Sequence, residues 1–167
     1  TVVIQDGANN QGQGGTDKLD LDDSGDSADA ESYELTGISF TKSSASGTLN
    51  YFATEQVDLR GNDGNNTITV QYGNLLDTEQ VTVGGGGGND VIDAWFGDDL
   101  LDGGIGDDIL NGASNFDTAA YGSASTSDSW HRNLDGSWTV SAGSEGTDTL
   151  TSVERLHFTD RDVYLDP

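Results

Sequence analysis

Asp90, Asp99, Asp108 and Asp117 recur at nine-residue intervals, and the stretches before Asp90 and Asp108 are made largely of glycine, asparagine and aspartate. Between Asp90 and Asp117 there are eight aspartates and no lysine or arginine. Carboxylates beside uncovered backbone carbonyls are hard oxygen donors, the kind that calcium gathers in sets of six to eight at about 2.3–2.6 Å. Glycine contributes twice to such a turn, because it tolerates φ > 0 and leaves carbonyl oxygens exposed. One six-residue turn offers too few oxygens for an ion. Other elements must bring turns together.

Those elements are legible in the same period. Written in nines, the units start at Gly85, Ala94, Gly103 and Gly112, and their eighth positions are Ile92, Leu101, Leu110 and Ala119. Side chains alternate along a strand, so these aliphatics can point inward while their neighbours point out. A longer repeat precedes them. Thr54–Ile68 aligns with Thr78–Ile92, and both begin Thr-Glu-Gln-Val. Each copy reads as a short alternating strand, a glycine/asparagine turn and a second strand. Val153–Phe158 echoes the strand half without the turn.

The nonapeptides resemble the G-G-x-G-x-D-x-U-x repeat of the RTX (repeats-in-toxin) exoproteins. Gly146-Thr147-Asp148-Thr149-Leu150, followed by Val153-Glu154-Arg155-Leu156-His157-Phe158, is similar to a segment found after such repeats. The resemblance implies an all-β fold, a calcium-bound parallel β-roll (β-solenoid) with irregular N-terminal coils and a β-rich C-terminal cap. It divides the chain into coils over 1–53, a repeat roll over 54–120 and a cap over 121–167. In the family two nonapeptides make one coil, so turns eighteen residues apart stack and share an ion.

Carried onto this chain, one site joins Gly85, Gly86, Gly87, Gly88 and Asp90 to Gly103, Gly104, Ile105, Gly106 and Asp108. A second joins Ala94, Phe96, Gly97 and Asp99 to Gly112 and Asp117. There Ala94, Trp95, Ala113 and Asn115 replace expected glycines, so a distorted site is expected at Ala94-Trp95-Phe96. A third, weaker site joins Gly61, Asp63 and Asn66 to Gly85–Asp90, with Asn66 offering a neutral oxygen. About two or three calcium ions are implied. The family further implies type I secretion as an unfolded chain and folding in high external calcium.

Composition is consistent with a chain that needs a counterion. Its 167 residues hold thirty acidic and six basic side chains, a net charge of −24, and only 32% hydrophobic residues. That balance favours disorder unless something neutralises it. Nucleic acid and anionic membrane surfaces are excluded as partners for want of a basic face. No apolar run reaches the length needed to span a bilayer. Cysteine is absent, which removes disulfides and thiolate metal sites. The first residues lack the basic and apolar regions of a cleaved leader, which fits an excised segment or export without one.

Asp20, Asp22, Ser24, Asp26 and Glu31 match EF-hand ligand spacing, with Gly25 sixth. Ser27 stands where an aliphatic residue is usual, and an ordinary Asp/Gly/Ser turn is the competing reading. Trp130–Val140 reads as a hairpin about Asn133–Gly136. His131 and His157 have no catalytic neighbours and no G-x-S-x-G stretch occurs, so no enzyme is expected. The expected role is a structural, self-associating part of a large secreted or surface protein: a surface layer, adhesin or filament. An accessory domain of an RTX exoenzyme or toxin is the alternative. A carbohydrate-contacting module using Trp95, Trp130 or Trp138 is a further one. Partners would be calcium and either neighbouring copies or a parent polypeptide.

Overall fold

The computed structural model describes residues 2–5, 18–26, 30–36, 39–43, 48–50, 56–71 and 80–166. Among them the fold is all-β, with a single 3-10 turn at Gly143–Glu145. The first strands are β1 (Val2–Gln5), β2 (Lys18–Asp22), β3 (Ser32–Thr36), β4 (Ser39–Lys42), β5 (Thr48–Asn50), β6 (Gln56–Arg60) and β7 (Thr67–Gln71). The repeat region holds β8 (Gln80–Gly87), β9 (Val91–Asp93), β10 (Leu100–Ile105), β11 (Ile109–Asn111) and β12 (Thr118–Ala120). Then come β13 (Ser129–Arg132), β14 (Trp138–Ser141), β15 (Thr147–Thr151), β16 (Arg155–His157) and β17 (Asp162–Tyr164). No helix among the described residues is long and apolar enough to cross a membrane.

The strands make two mixed, mostly parallel sheets and no closed barrel. One runs β1-β2-β6-β8-β10-β12-β16-β17, the other β13-β14-β15-β11-β9-β7-β3-β4-β5. From β6 to β12 the chain gives a strand to each sheet in turn, and all pairings there are parallel. Antiparallel pairs lie at the margins, where β1, β17 and the β13–β14 and β4–β5 hairpins are added. The hairpin expected over 130–140 is the β13–β14 pair, turned by Asn133–Gly136.

Alternation fixes the register. In β7, Ile68 and Val70 are buried while Thr67 and Gln71 are exposed. A slip of one residue would turn every such apolar side chain outward. Inward residues therefore stack strand upon strand. Leu21, Leu59, Val83, Leu101, Ala119 and Leu156 line the first sheet. Tyr33, Ile68, Ile92, Leu110 and Leu150 line the second. All belong to one core.

The sequence periods become registers. Gln56 pairs with Gln80 and Thr67 with Val91, the 24-residue step. Thr82, Leu100 and Thr118 follow one another at the 18-residue step. Wider circuits flank them, with Lys18 opposite Gln56 and Thr118 opposite Arg155. The boundaries expected at 53/54 and 120/121 thus fall between hydrogen-bonded neighbours, β2 with β6 and β12 with β16. Beyond β12, Phe158 stacks on Tyr121 at 5.4 Å and meets Trp130 at 5.5 Å, extending the core with aromatic rings.

Candidate functional site

Where the chain passes from one sheet to the other, the repeat turns lie over one another. Gly86 pairs with Gly104 and Ile105 with Gly87, so Gly85–Asp90 faces Gly103–Asp108. On the opposite margin Phe96 bridges Ser114, which sets 94–99 against 112–117. The Gly61 N–H donates to the Gly84 oxygen at 2.9 Å, and the Asn66 N–H to Asp90 Oδ1 at 2.6 Å. All three pairs of turns named from the sequence are therefore neighbours.

Each margin carries a row of carboxylates joined by one recurring hydrogen bond. In row one, the Asp90 N–H donates to Asp108 Oδ1 at 2.7 Å, and the Asp108 N–H to Asp148 Oδ1 at 2.9 Å. In row two, Val81 donates to Asp99 Oδ1, Asp99 to Asp117 Oδ1, and Asp117 to Glu154 Oε2, at 2.8, 2.9 and 2.8 Å. One carboxylate oxygen thus holds the previous circuit. The other has no partner. Asp90, Asp99, Asp108 and Asp117 are each at most 1% exposed, and every Oδ2 is buried without a hydrogen bond.

Such oxygens are costly. A buried polar atom without a partner destabilises by about 1–3 kcal/mol, and more when charged. Burial pushes the carboxyls of Asp90 and Asp99 up to about 7, against the pull of the backbone N–H groups that bond them. Asp117 is pushed up to about 8, with Asp99, Glu154 and Asp98 adding repulsion. Asp108 moves the same way. The missing partner is a positive one: a proton or a cation.

Glycine leaves room for it. A Cβ on Gly85 would collide with Asp90 Oδ2 and with the carbonyl oxygen of Gly103 from the next circuit. Two oxygens, one of them a carboxylate's, therefore face the same bare Cα, and oxygens so placed repel unless something positive lies between them. Among the described residues no three His, Cys, Asp or Glu side chains converge as a metal cluster. Each turn instead offers one or two carboxylates together with carbonyls, all of them hard oxygen donors.

The interrupted turn keeps its backbone. Trp95 and Ala113 have φ of 76° and 68°, where Gly86 and Gly104 have 106° and 92° one nonapeptide earlier. Asn115 at 88° does the work of Gly106. Within Ala94-Trp95-Phe96, where a distorted site is expected, Trp95 is a non-glycine residue in the left-handed region, and the rings of Trp95 and Phe96 are turned partly to solvent. Ala94 itself is buried, while Ile105 is exposed.

The other candidates fare differently. Asn66 presents nitrogen where an oxygen was expected: Nδ2 donates to the carbonyls of Asn62 at 3.0 Å and Gly85 at 3.2 Å, and Oδ1 accepts from the Glu31 N–H. Asp63 lies exposed on that turn. Asp20 pairs across to Asp58 within the first sheet. Asp22 Oδ1 accepts from the Ser24 N–H and hydroxyl, closing an ordinary turn. Asp26 and Glu31 share Lys42, whose Nζ is 2.6 Å from Asp26, 2.6 Å from Asp23 and 3.8 Å from Glu31. An ammonium already stands among those acids. Ser27, the residue weighed against an EF-hand there, lies outside the described residues.

Sequence reasoning missed Asp148 and Glu154, the last rungs. A signal for Asp148 existed: Gly64-Asn65-Asn66, Gly88-Asn89-Asp90, Gly106-Asp107-Asp108 and Gly146-Thr147-Asp148 occupy successive places on row one. His157 bonds Asp162 through Nδ1 at 2.6 Å on the exposed face of β16. Trp130 and Trp138 are half-buried against the core. No protein-family model matches the chain, and no curated protein or solved structure matches it either.

Proposed function

We propose that this chain is a calcium-binding module of the RTX kind, whose two sheets form a parallel β-roll with irregular coils before it and a cap after it. The four buried carboxylate oxygens without partners carry the reading. Asp90 and Asp108 with the Gly103 carbonyl would hold calcium on one margin, and Asp99 with Asp117 on the other. Calcium supplies there the positive charge that no side chain does.

Without the ion, the eight aspartates from Asp90 to Asp117 repel one another and the repeat region loses order. Binding that exists only in the folded state stabilises that state by mass action. The module is thereby an extracellular one, exported by type I secretion and folding in external calcium. Its role is structural, within a larger surface or secreted protein. The variety of circuits, with registers of 18 and 24 residues and wider ones beyond, favours that role over a uniform stabilising tail.

Circular dichroism of metal-free protein tests the reading. A largely disordered spectrum that becomes β-rich with millimolar calcium is expected. A spectrum indifferent to calcium and chelator overturns it.

A further inference from the structure

Row two does not end where its repeats end. The Gly112 N–H donates to the Thr151 oxygen at 3.1 Å, which sets the last turn against the end of β15. Ser152, with φ of 51°, then turns its carbonyl oxygen over the bare Cα of Gly112. Asp117 Oδ2 faces the same Cα, wholly buried and without a hydrogen bond. A Cβ on Gly112 would collide with both oxygens.

This is the arrangement found at Gly85, part for part. There the carbonyl comes from Gly103, the unpartnered oxygen from Asp90, and Asp108 accepts the Asp90 N–H. Here the carbonyl comes from Ser152, the unpartnered oxygen from Asp117, and Glu154 accepts the Asp117 N–H at 2.8 Å. The spacing from carbonyl to carboxylate shrinks, and glutamate's extra methylene spans the difference. The Glu154 and Arg155 N–H groups both donate to the Asp117 backbone carbonyl at 3.1 Å, fixing the segment against the turn.

We propose that Asp117, the Ser152 carbonyl and Glu154 form a further calcium site, shared between the last nonapeptide and the segment that covers it. The proposal rests on the calcium reading of the repeats and adds a site that the nine-residue period does not contain. Row one ends differently. Asp148 is its last rung, and the buried Tyr121 hydroxyl stands beside it, its pKa driven up by burial and by that carboxylate. At the end of row two a closing carbonyl and an unpartnered carboxylate oxygen share one bare Cα, with a second carboxylate on the adjoining N–H.

The test is calorimetric titration of the whole chain with calcium, comparing wild type with Glu154→Gln. Glutamine keeps an oxygen to accept the Asp117 N–H, so the fold contact survives while the charge is lost. One ion fewer per chain, or one ion weakened at least tenfold, is expected. Ser152→Gly keeps the carbonyl and eases the positive φ, and should bind as wild type does. An unchanged number of ions at unchanged affinity in Glu154→Gln overturns the site. Wild type binding no calcium at all overturns the repeat reading and this site with it. Should Glu154→Gln fail to fold, a crystal of calcium-loaded wild type decides. An ion within about 2.3–2.6 Å of the Ser152 oxygen and Asp117 Oδ2 is expected. Calcium at Gly85–Asp108 with none at Ser152 overturns the proposal.

Discussion

Asn66 Nδ2 lies 3.2 Å from the carbonyl oxygen of Gly85 and donates to it. One circuit later, Asp90 presents an unpartnered carboxylate oxygen toward the carbonyl of Gly103. The same turn is thus completed once by an amide and once by a bare anion. The amide is satisfied by the chain itself; the carboxylate oxygen is left without a partner.

Exchanging the two side chains should exchange the dependence. Asp90→Asn supplies donors to the Gly103 carbonyl, so metal-free protein should gain about 1–3 kcal/mol while losing calcium affinity. Asn66→Asp should cost metal-free protein a similar amount and recover it in calcium. Circular dichroism of the chelated proteins, together with the calcium concentration each needs to fold, measures both. An Asp90→Asn variant that is less stable without metal removes this account of the rungs.

Acid should stand in for the ion. In the folded chain burial holds Asp90 and Asp99 near about 7 and Asp117 near about 8, against about 3.9 for a free aspartate. A raised carboxyl contributes its full stability below the unfolded value and loses it as pH climbs through the folded one. Metal-free protein, largely disordered near neutral pH, should therefore be most ordered at about pH 4–5 and lose that order up to about pH 8. In saturating calcium that decline should vanish. Metal-free protein that is no more ordered at pH 5 than at pH 8 by circular dichroism contradicts the assignment.

Glycine positions should separate by what a methyl group meets. Gly85→Ala drives a Cβ into Asp90 and Gly103, so it should destabilise by about 1–3 kcal/mol and abolish the calcium response of that turn. Ala113→Gly should do the reverse. Ala113 holds φ of 68°, a left-handed conformation costing about 1–2 kcal/mol for a residue with a Cβ. Relief less the entropy of glycine leaves a gain of up to about 1 kcal/mol. Thermal melts in calcium check the pair.

On the calcium reading, Lys42 should already neutralise Asp23, Asp26 and Glu31 as an ion would neutralise the two rows. Lys42→Met leaves Asp23, Asp26 and Glu31 facing one another and should cost about 1–3 kcal/mol, less than a fully buried pair because Asp26 stays half in solvent. Asp26→Asn should leave the number of bound calcium ions unchanged. A missing ion in Asp26→Asn would return the loop to the calcium ligands.

The period of nine carried the centre of the fold because it repeats two physical demands at once. It places an aliphatic residue inward, as at Ile92 and Leu110, and a carboxylate at the turn, as at Asp90 and Asp108. Strand register follows directly from such a pattern. Asp148 and Glu154 escaped because the circuits that deliver them are wider, 40 and 37 residues from their partners, so no short period reaches them. Asn66 was read as an oxygen donor because an amide has two ends, and only its neighbours choose between them. Lys42 lies 16 residues from Asp26, in a strand whose own pattern says nothing of the loop it neutralises.

The buried stitching has a direction. Asp90 is held by Asp108, Asp108 by Asp148, Asp99 by Asp117 and Asp117 by Glu154. Each backbone N–H therefore waits for a side chain supplied later in the polypeptide. A chain emerging amino end first cannot close a buried rung until the next circuit is made, and the last two rungs wait for Asp148 and Glu154. The rows therefore close one circuit behind the growing end, and each buried rung stays open until the circuit after it has been made.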